Sequence, residues 1–506
     1  RGGRMSGRGE GPTRRAALLG ALALAGCGAA PRAPDVASLY RYAGRMNPSE
    51  RRPIIAIPGL LGSRLRVGED GPFAWGGPRR LSPDVSSSDG LRRLALPVGR
   101  GDEPLAALTD EVRPAGVLRE ANALLLFGSV QQQVYAGLIE VLRAGGYGFL
   151  DSPRAPGDGE TAAAEAFEFA YDWRRGIVEA AQALDAFVAA KTEEVRAARL
   201  ARFGEAPPPD EIRFDFVAHS LGALVLRWWL MYGAAAPPED GSPLPPPDWT
   251  GARRTACAVF VGPPNLGSIT SFRSLLEGRR PGPFTPRYPP GLLGTYPSLY
   301  QLMPRDRHGR VTVGGPDDPS PGSLYDVETW AERRWGLLDP AEDGRLAALM
   351  PDAGDRSERE RRARAHIAKC LASARQVHQG LDRRGAPDFA DLFLVAGTGL
   401  DTPAALVLDA EGRPARVLQE EGDGVVLRAS ALMDERQGSG PESGPRRPVG
   451  YRTVLLLPGE HVELTRNPVF ADNLLYWLLG SPLATQSRES PGPSAERTAG
   501  PPQDGR

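Results

Sequence analysis

The sequence predicts an α/β fold, a mostly parallel sheet flanked by helices and broken by a cap or lid insertion. Three observations carry that expectation. Apolar runs of strand length alternate with stretches of helical periodicity, which implies parallel strands joined by right-handed crossovers. The stretch RFDFVAHSLG (213–222) reads as a strand entering a sharp turn, and the apolar helical segment LGALVLRWWLMYG follows at once. Glycine (61) and proline (50) are both abundant in the 506 residues, as long, turn-rich connections around one core require. A single large domain over 51–480 accounts for all three.

Before that domain, Arg14-Arg15 precede an apolar run from Ala16 to Ala25 that ends in Leu24-Ala25-Gly26-Cys27. A positive start, a short apolar stretch and small residues at the end make a secretory signal over 1–27, too short to cross a bilayer. The LAGC ending resembles a bacterial lipobox, which implies lipidation of Cys27, and Thr13-Arg14-Arg15 resembles a twin-arginine signal. Several acyl chains on one cysteine suffice for stable anchoring at a membrane surface. Residues 28–50 then read as a tether. The expected location is extracytoplasmic and membrane-anchored.

RPIIAIPG (52–59) is the first strand, an apolar run closed by Pro58-Gly59. Residues 60–127 show little regular pattern and read as a lid-type loop, with Phe73 and Trp75 among glycines; Trp75 is either a lid residue or a side chain packed under its own loop. Helical spacing of Val130, Val134, Leu138, Val141 and Leu142 predicts a helix over Ser129 to Ala144. Ala166 to Trp173 reads as a strand and Ile177 to Leu200 as a helix. After the serine turn and its helix come a proline-rich loop (234–250) and a strand at Arg254 to Gly262. Residues 267–390 interrupt the alternation as a cap insertion with a charged helix around Arg356 to Gly380. Strands at Asp391 to Gly397 and Tyr451 to Gly459, a closing helix from Phe470 to Leu479 and a polar, disordered tail over 481–506 complete the chain.

The composition excludes some partners. With 61 basic and 62 acidic residues the net charge is -1, and no basic run offers a footprint for nucleic acid. Three cysteines cannot build a disulfide framework.

The chemistry is concentrated at Ser220. A serine between small residues, at the apex of a strand–turn–helix, has the form of the nucleophile elbow of the α/β-hydrolase fold, with Ala218 in place of the first glycine. Acyl transfer by serine needs a base within hydrogen-bond reach and a carboxylate that holds the base in one tautomer. Five histidines are available. The side chain of His219 points away from the apex, His308 lies in a turn of the insertion, and His366 and His378 fit a solvated helix face. His461 follows the last strand, where the base of such a fold stands. For the acid, in the order Ser, Asp, His, position favours Asp401, while Asp423 lies in a glycine-flanked turn before an apolar anchor. The residues alone leave both open. No cofactor or metal is called for.

The pieces PIIAIPGLLGSRL (53–65), FAYDWRRG (169–176), FVAHSLGALV (216–225), VGPPNLGS (261–268), TYPSLYQLMP (295–304), GDGVV (422–426) and GEHVEL (459–464) resemble the lecithin:cholesterol acyltransferase family, in family order. The resemblance implies a lipid O-acyltransferase, or a phospholipase or carboxylester hydrolase with the same machinery. It assigns the triad to Ser220, Asp423 and His461 and the oxyanion hole to the backbone N–H groups of Leu60 and Leu221. It implies a lipid ester as substrate. Tyr171-Asp172-Trp173-Arg174 is a signature without a catalytic role in this reading. Val425 stands where the family usually has threonine, and the region around Trp75 lacks the cysteines that staple the lid in animal members. A surface lipoprotein that keeps the scaffold only for binding is the rival from another class.

Overall fold

The computed structural model describes residues 51–480 except 79, 126–127, 134, 150–165, 239–240, 281–284, 384, 388 and 436–448. The signal with Cys27, the tether and the tail lie outside the described residues. Among those described, no helix is long and apolar enough to cross a membrane.

Six strands, β1 (Ile54–Ile57), β2 (Ala166–Glu168), β3 (Phe214–His219), β4 (Thr255–Val261), β5 (Asp391–Thr398) and β6 (Thr453–Pro458), form one sheet in the order β6-β5-β4-β3-β1-β2. Every pairing in it is parallel. The side-chain period of two explains why both faces are apolar. Ile55, Phe216, Phe260 and Leu394 belong to one core cluster with the helices Ile177–Phe203 and Leu221–Tyr232. Ile54, Val217, Val259 and Val395 belong to another with Ala136–Ala144 and Pro468–Leu475. The strand order reverses between β1 and β3, and in open α/β sheets ligands bind outside the carboxyl ends at such a switch point. Ser220 follows β3 there.

Several expectations are corrected. Residues 60–127 are not a bare loop: Ser63–Val67, Phe73–Trp75 and Val112–Val117 form a three-stranded sheet, and Ser88–Leu94 is a helix. Arg174 pins this region to the core. Its fully buried guanidinium meets the carbonyls of Leu94 and Ala95 at 3.1 and 3.3 Å and the carboxylates of Asp110 and Asp172 at 2.9 and 2.7 Å. Trp75 is no exposed lid residue; it is 2% exposed and meets Trp173 and Tyr288 edge to face. It packs under its own segment because its indole has both aromatic partners and a carbonyl to bond.

The helix expected from Ser129 begins only at Ala136, because Gly128–Gln133 pairs antiparallel with Glu120–Leu125. The strand expected to reach Trp173 stops at Glu168, after which Tyr171 and Trp173 bond the carbonyls of Pro58 and Ser63. The helix Arg356–Leu381 is as expected, but His366 and His378 are buried on it at 1% and 5% exposure. The insertion shares the main core, with Phe272, Trp330, Ile367 and Leu371 in the same cluster as Phe216 and Phe260. An unforeseen hairpin, Leu400–Leu408 with Pro414–Gly422, rises directly from β5. Cys257 and Cys370 are buried and free.

Candidate active site

Ser220 sits between β3 and the helix Leu221–Tyr232 with φ 54° and ψ -124°. A non-glycine residue in that region costs on the order of 1–3 kcal/mol and persists only where the surroundings enforce it. Here two contacts do so. Ser220 N–H bonds the Val261 carbonyl at 2.9 Å, and the Pro58-Gly59 turn presses on the serine from the other side. A Cβ on Gly222 would lie 2.3 Å from the Pro58 carbonyl oxygen, so only glycine permits that approach.

The serine hydroxyl is 2.8 Å from His461 Nε2, and His461 Nδ1 is 2.7 Å from Asp423 Oδ2. All three residues are buried, Ser220 at 9%, His461 at 7% and Asp423 at 1% exposure. The other carboxylate oxygen of Asp423 accepts the backbone N–H groups of Val425 and Val426 at 3.0 and 2.7 Å. Burial pushes this carboxyl up, but the facing His461 and these hydrogen bonds outweigh it and hold Asp423 below the usual carboxylate range. The acid is thus ionised and can fix the tautomer in which Nδ1 carries the proton and Nε2 accepts from serine. His461 N–H also bonds the Asp423 carbonyl at 3.0 Å.

The hairpin explains why Asp423 is here and Asp401 is not. Leu400 pairs with Gly422 at its base. The chain therefore leaves and returns at one place, so Asp423 stands in space directly after β5. Asp401 is carried off on the hairpin, exposed and opposite Glu421. A Cβ on Gly397, near the end of β5, would lie 2.3 Å from Asp423 Cβ; the strand leaves that space for the acid. His308 is placed elsewhere, with Glu435 at 3.0 Å, and His378 bonds the Gln301 carbonyl at 2.7 Å.

Leu60 lies in the tight turn Gly59–Gly62, closed by Gly62 N–H to the Gly59 carbonyl at 3.0 Å, and Leu221 is the first residue of the helix after the serine. Turn and helix N-terminus both meet Ser220, the arrangement two amide donors need to face a developing oxyanion. Leu61 holds φ 65° in this turn, a conformation normally left to glycine or asparagine. Four aromatic side chains brace it. Tyr171 Oη donates to the Pro58 carbonyl at 3.0 Å, Gly59 N–H donates to Tyr135 Oη at 2.7 Å, and the indoles of Trp75 and Trp173 donate to the carbonyls of Leu61 and Ser63 at 2.7 and 3.0 Å. The Tyr171-Asp172-Trp173-Arg174 signature so acquires a structural task, and Trp75, packed under its own segment as the second of its two readings had it, bonds this turn. Tyr135 was missed by sequence reasoning, because nothing in a local pattern marks partners 76 and 84 residues away. The amides of Val425 and Val426, two and three residues after Asp423, were missed although a turn aspartate bonding the backbone just after it is a local signal.

No family model and no curated protein sequence matches the chain. Among solved structures, a chain of the Tle4–Tli4 complex is similar over 87% of this chain and 99% of its own length, with 15% identity and a TM-score of 0.53. EstA from Clostridium botulinum aligns over 85% of this chain and 88% of its own, with 11% identity and a TM-score of 0.31. The strand order, the serine turn at the sheet's switch point and the likeness to the Tle4–Tli4 chain define an α/β-hydrolase fold.

Proposed function

We propose that the chain is a serine-dependent acyl-transfer enzyme acting on lipid esters. The observation that carries this reading is the continuous hydrogen-bonded row Ser220–His461–Asp423 at the carboxyl ends of the sheet strands. In the first step Ser220 Oγ attacks the ester carbonyl carbon as His461 Nε2 takes its proton, and the Leu60 and Leu221 amides receive the oxyanion. Collapse breaks the ester C–O bond. His461 returns the proton to the leaving alkoxide, and an acyl-Ser220 ester remains. An incoming hydroxyl, deprotonated by His461, then attacks that ester and regenerates the serine.

If the hydroxyl is water, the chain is a phospholipase or carboxylester hydrolase; if it is an alcohol, it is a lipid O-acyltransferase. The near-complete burial of Ser220 and His461 favours transfer, since exclusion of water protects the acyl-enzyme from hydrolysis, and the family resemblance points the same way. The apolar, half-buried Leu60 and Leu61 beside the serine suit an acyl chain. The test is incubation with defined phospholipids with and without a long-chain alcohol, reading free fatty acid against new ester. New ester is expected when alcohol is present; fatty acid alone in both arms makes the protein a hydrolase. Failure of a fluorophosphonate probe to label Ser220 in folded protein would leave only the binding-module reading. The extracytoplasmic, membrane-anchored location, proposed from the sequence, places such an enzyme beside lipid donors. Loss of palmitate incorporation in Cys27→Ala is the expected result, and retained labelling contradicts it.

A further inference from the structure

His219 is adjacent to the nucleophile, yet it takes no part in the row Ser220–His461–Asp423. Its ring is buried, its Nδ1 lies 2.8 Å from Tyr135 Oη and its Nε2 lies 3.0 Å from the backbone carbonyl of His461. Chemistry places every proton in this chain. A carbonyl can only accept, so His219 Nε2 carries a hydrogen. Burial, with His461 beside it, pushes His219 down to about 3, so the ring is neutral and Nδ1 is bare. Nδ1 must then accept from Tyr135, whose hydroxyl stays protonated because burial raises it far above its ordinary range. The Tyr135 oxygen in turn accepts the Gly59 N–H at 2.7 Å. The result is one directed path, Gly59 N–H to Tyr135 O–H to His219 Nδ1, then His219 Nε2–H to the His461 carbonyl.

Its ends are the point. Gly59 immediately precedes Leu60, whose amide is one oxyanion donor in the reading above, and His461 is the base. The middle residue precedes Ser220. We propose that Tyr135 and His219 are positioning residues that lock the oxyanion turn and the base-bearing loop in one relation to each other across the nucleophile. This inference rests on Ser220 being the acyl carrier. Neither side chain touches substrate. Tyr135 also fills the inside of the turn: a Cβ on Gly62 would lie 2.7 Å from its ring, and its ring meets that of His219 edge to face at 5.7 Å. A displacement of about 1 Å in a reacting group can cost on the order of 10²-fold in rate, so a two-ended tie of this kind is worth its buried polar groups.

The test compares the full chain with Tyr135→Phe, His219→Gln and the double variant, measuring kcat and KM on a p-nitrophenyl ester, the rate of fluorophosphonate labelling, and Tm. Phenylalanine removes only the hydroxyl. Glutamine keeps a donor near Nε2 and loses the acceptor at Nδ1. Each single change is expected to lower kcat and the labelling rate about 10-fold with KM within about twofold, and the double variant no further than the weaker single, because a broken path is not broken twice. Folded single variants with wild-type kcat, or losses that multiply in the double variant, overturn the proposal while leaving the acyl-serine reading intact. An unlabelled wild-type protein overturns both. If Tyr135→Phe does not fold, His219→Gln alone decides by whether kcat falls at constant KM or only Tm falls.

Discussion

A backbone at φ 54° and ψ -124° under a serine is a cost that folding alone would not select, and its relief is measurable. Ser220→Gly is expected to raise stability by about 1 kcal/mol in denaturant titration while abolishing turnover; a destabilised variant would mean the turn is not strained. Ser220→Ala and His461→Ala should each remove nearly all activity. Asp423→Asn should lower kcat about 10⁴-fold by releasing the wrong tautomer, and Asp401→Asn should change nothing measurable. Equal losses in the two aspartate variants would refute the assignment of the acid. At this scale the sequence was informative where chemistry limits the choices. A serine on a strand–turn–helix and a histidine after the last strand could be read directly. The choice between Asp401 and Asp423 could not, since the hairpin that separates them returns to its own origin, and counting residues cannot register a detour without net displacement. Tyr135 was invisible for a related reason: its partners are Gly59 and His219, joined only by the tertiary fold.

Between residues and fold stand the turn around Leu60 and the strand ends that face it. Trp75→Phe keeps the ring but deletes the indole donor to the Leu61 carbonyl. The expected outcome is a roughly 10-fold lower kcat with KM nearly unchanged, because a misplaced oxyanion donor weakens the transition state more than the substrate complex. A rise in KM alone would contradict this positioning role for Trp75. The sheet strands were legible because each is an uninterrupted apolar run buried on both faces. The segment 60–127 was not, for its short strands find partners within a small separate sheet and expose one face. The helix expected from Ser129 took in most of the strand Gly128–Gln133 because the apolar spacing after that strand is truly helical, while the strand itself depends on pairing with Glu120–Leu125.

For the molecule as a whole, the buried histidines tie stability to pH. His219 is pushed down to about 3 and His366 to about 4 by burial, from an ordinary value of 6.5, and His378 is held well below that value for the same reason. These rings stay neutral in the folded state, whereas the unfolded chain protonates them below about pH 6.5. Unfolding therefore takes up protons, and stability, fully present above that pH, falls as pH drops toward about 4, by about 1.4 kcal/mol per unit for each ring. Denaturant titrations between pH 7 and 5 should show the slope reduced by about one proton in His366→Phe; parallel slopes would contradict this. The bracing of the oxyanion turn by Tyr135, Tyr171, Trp75 and Trp173 has a consequence in time as well as in geometry. A donor pair already in place before the ester arrives has nothing to assemble, so product curves recorded by stopped flow should start without a lag, and should gain none when dissolved ester gives way to micelles.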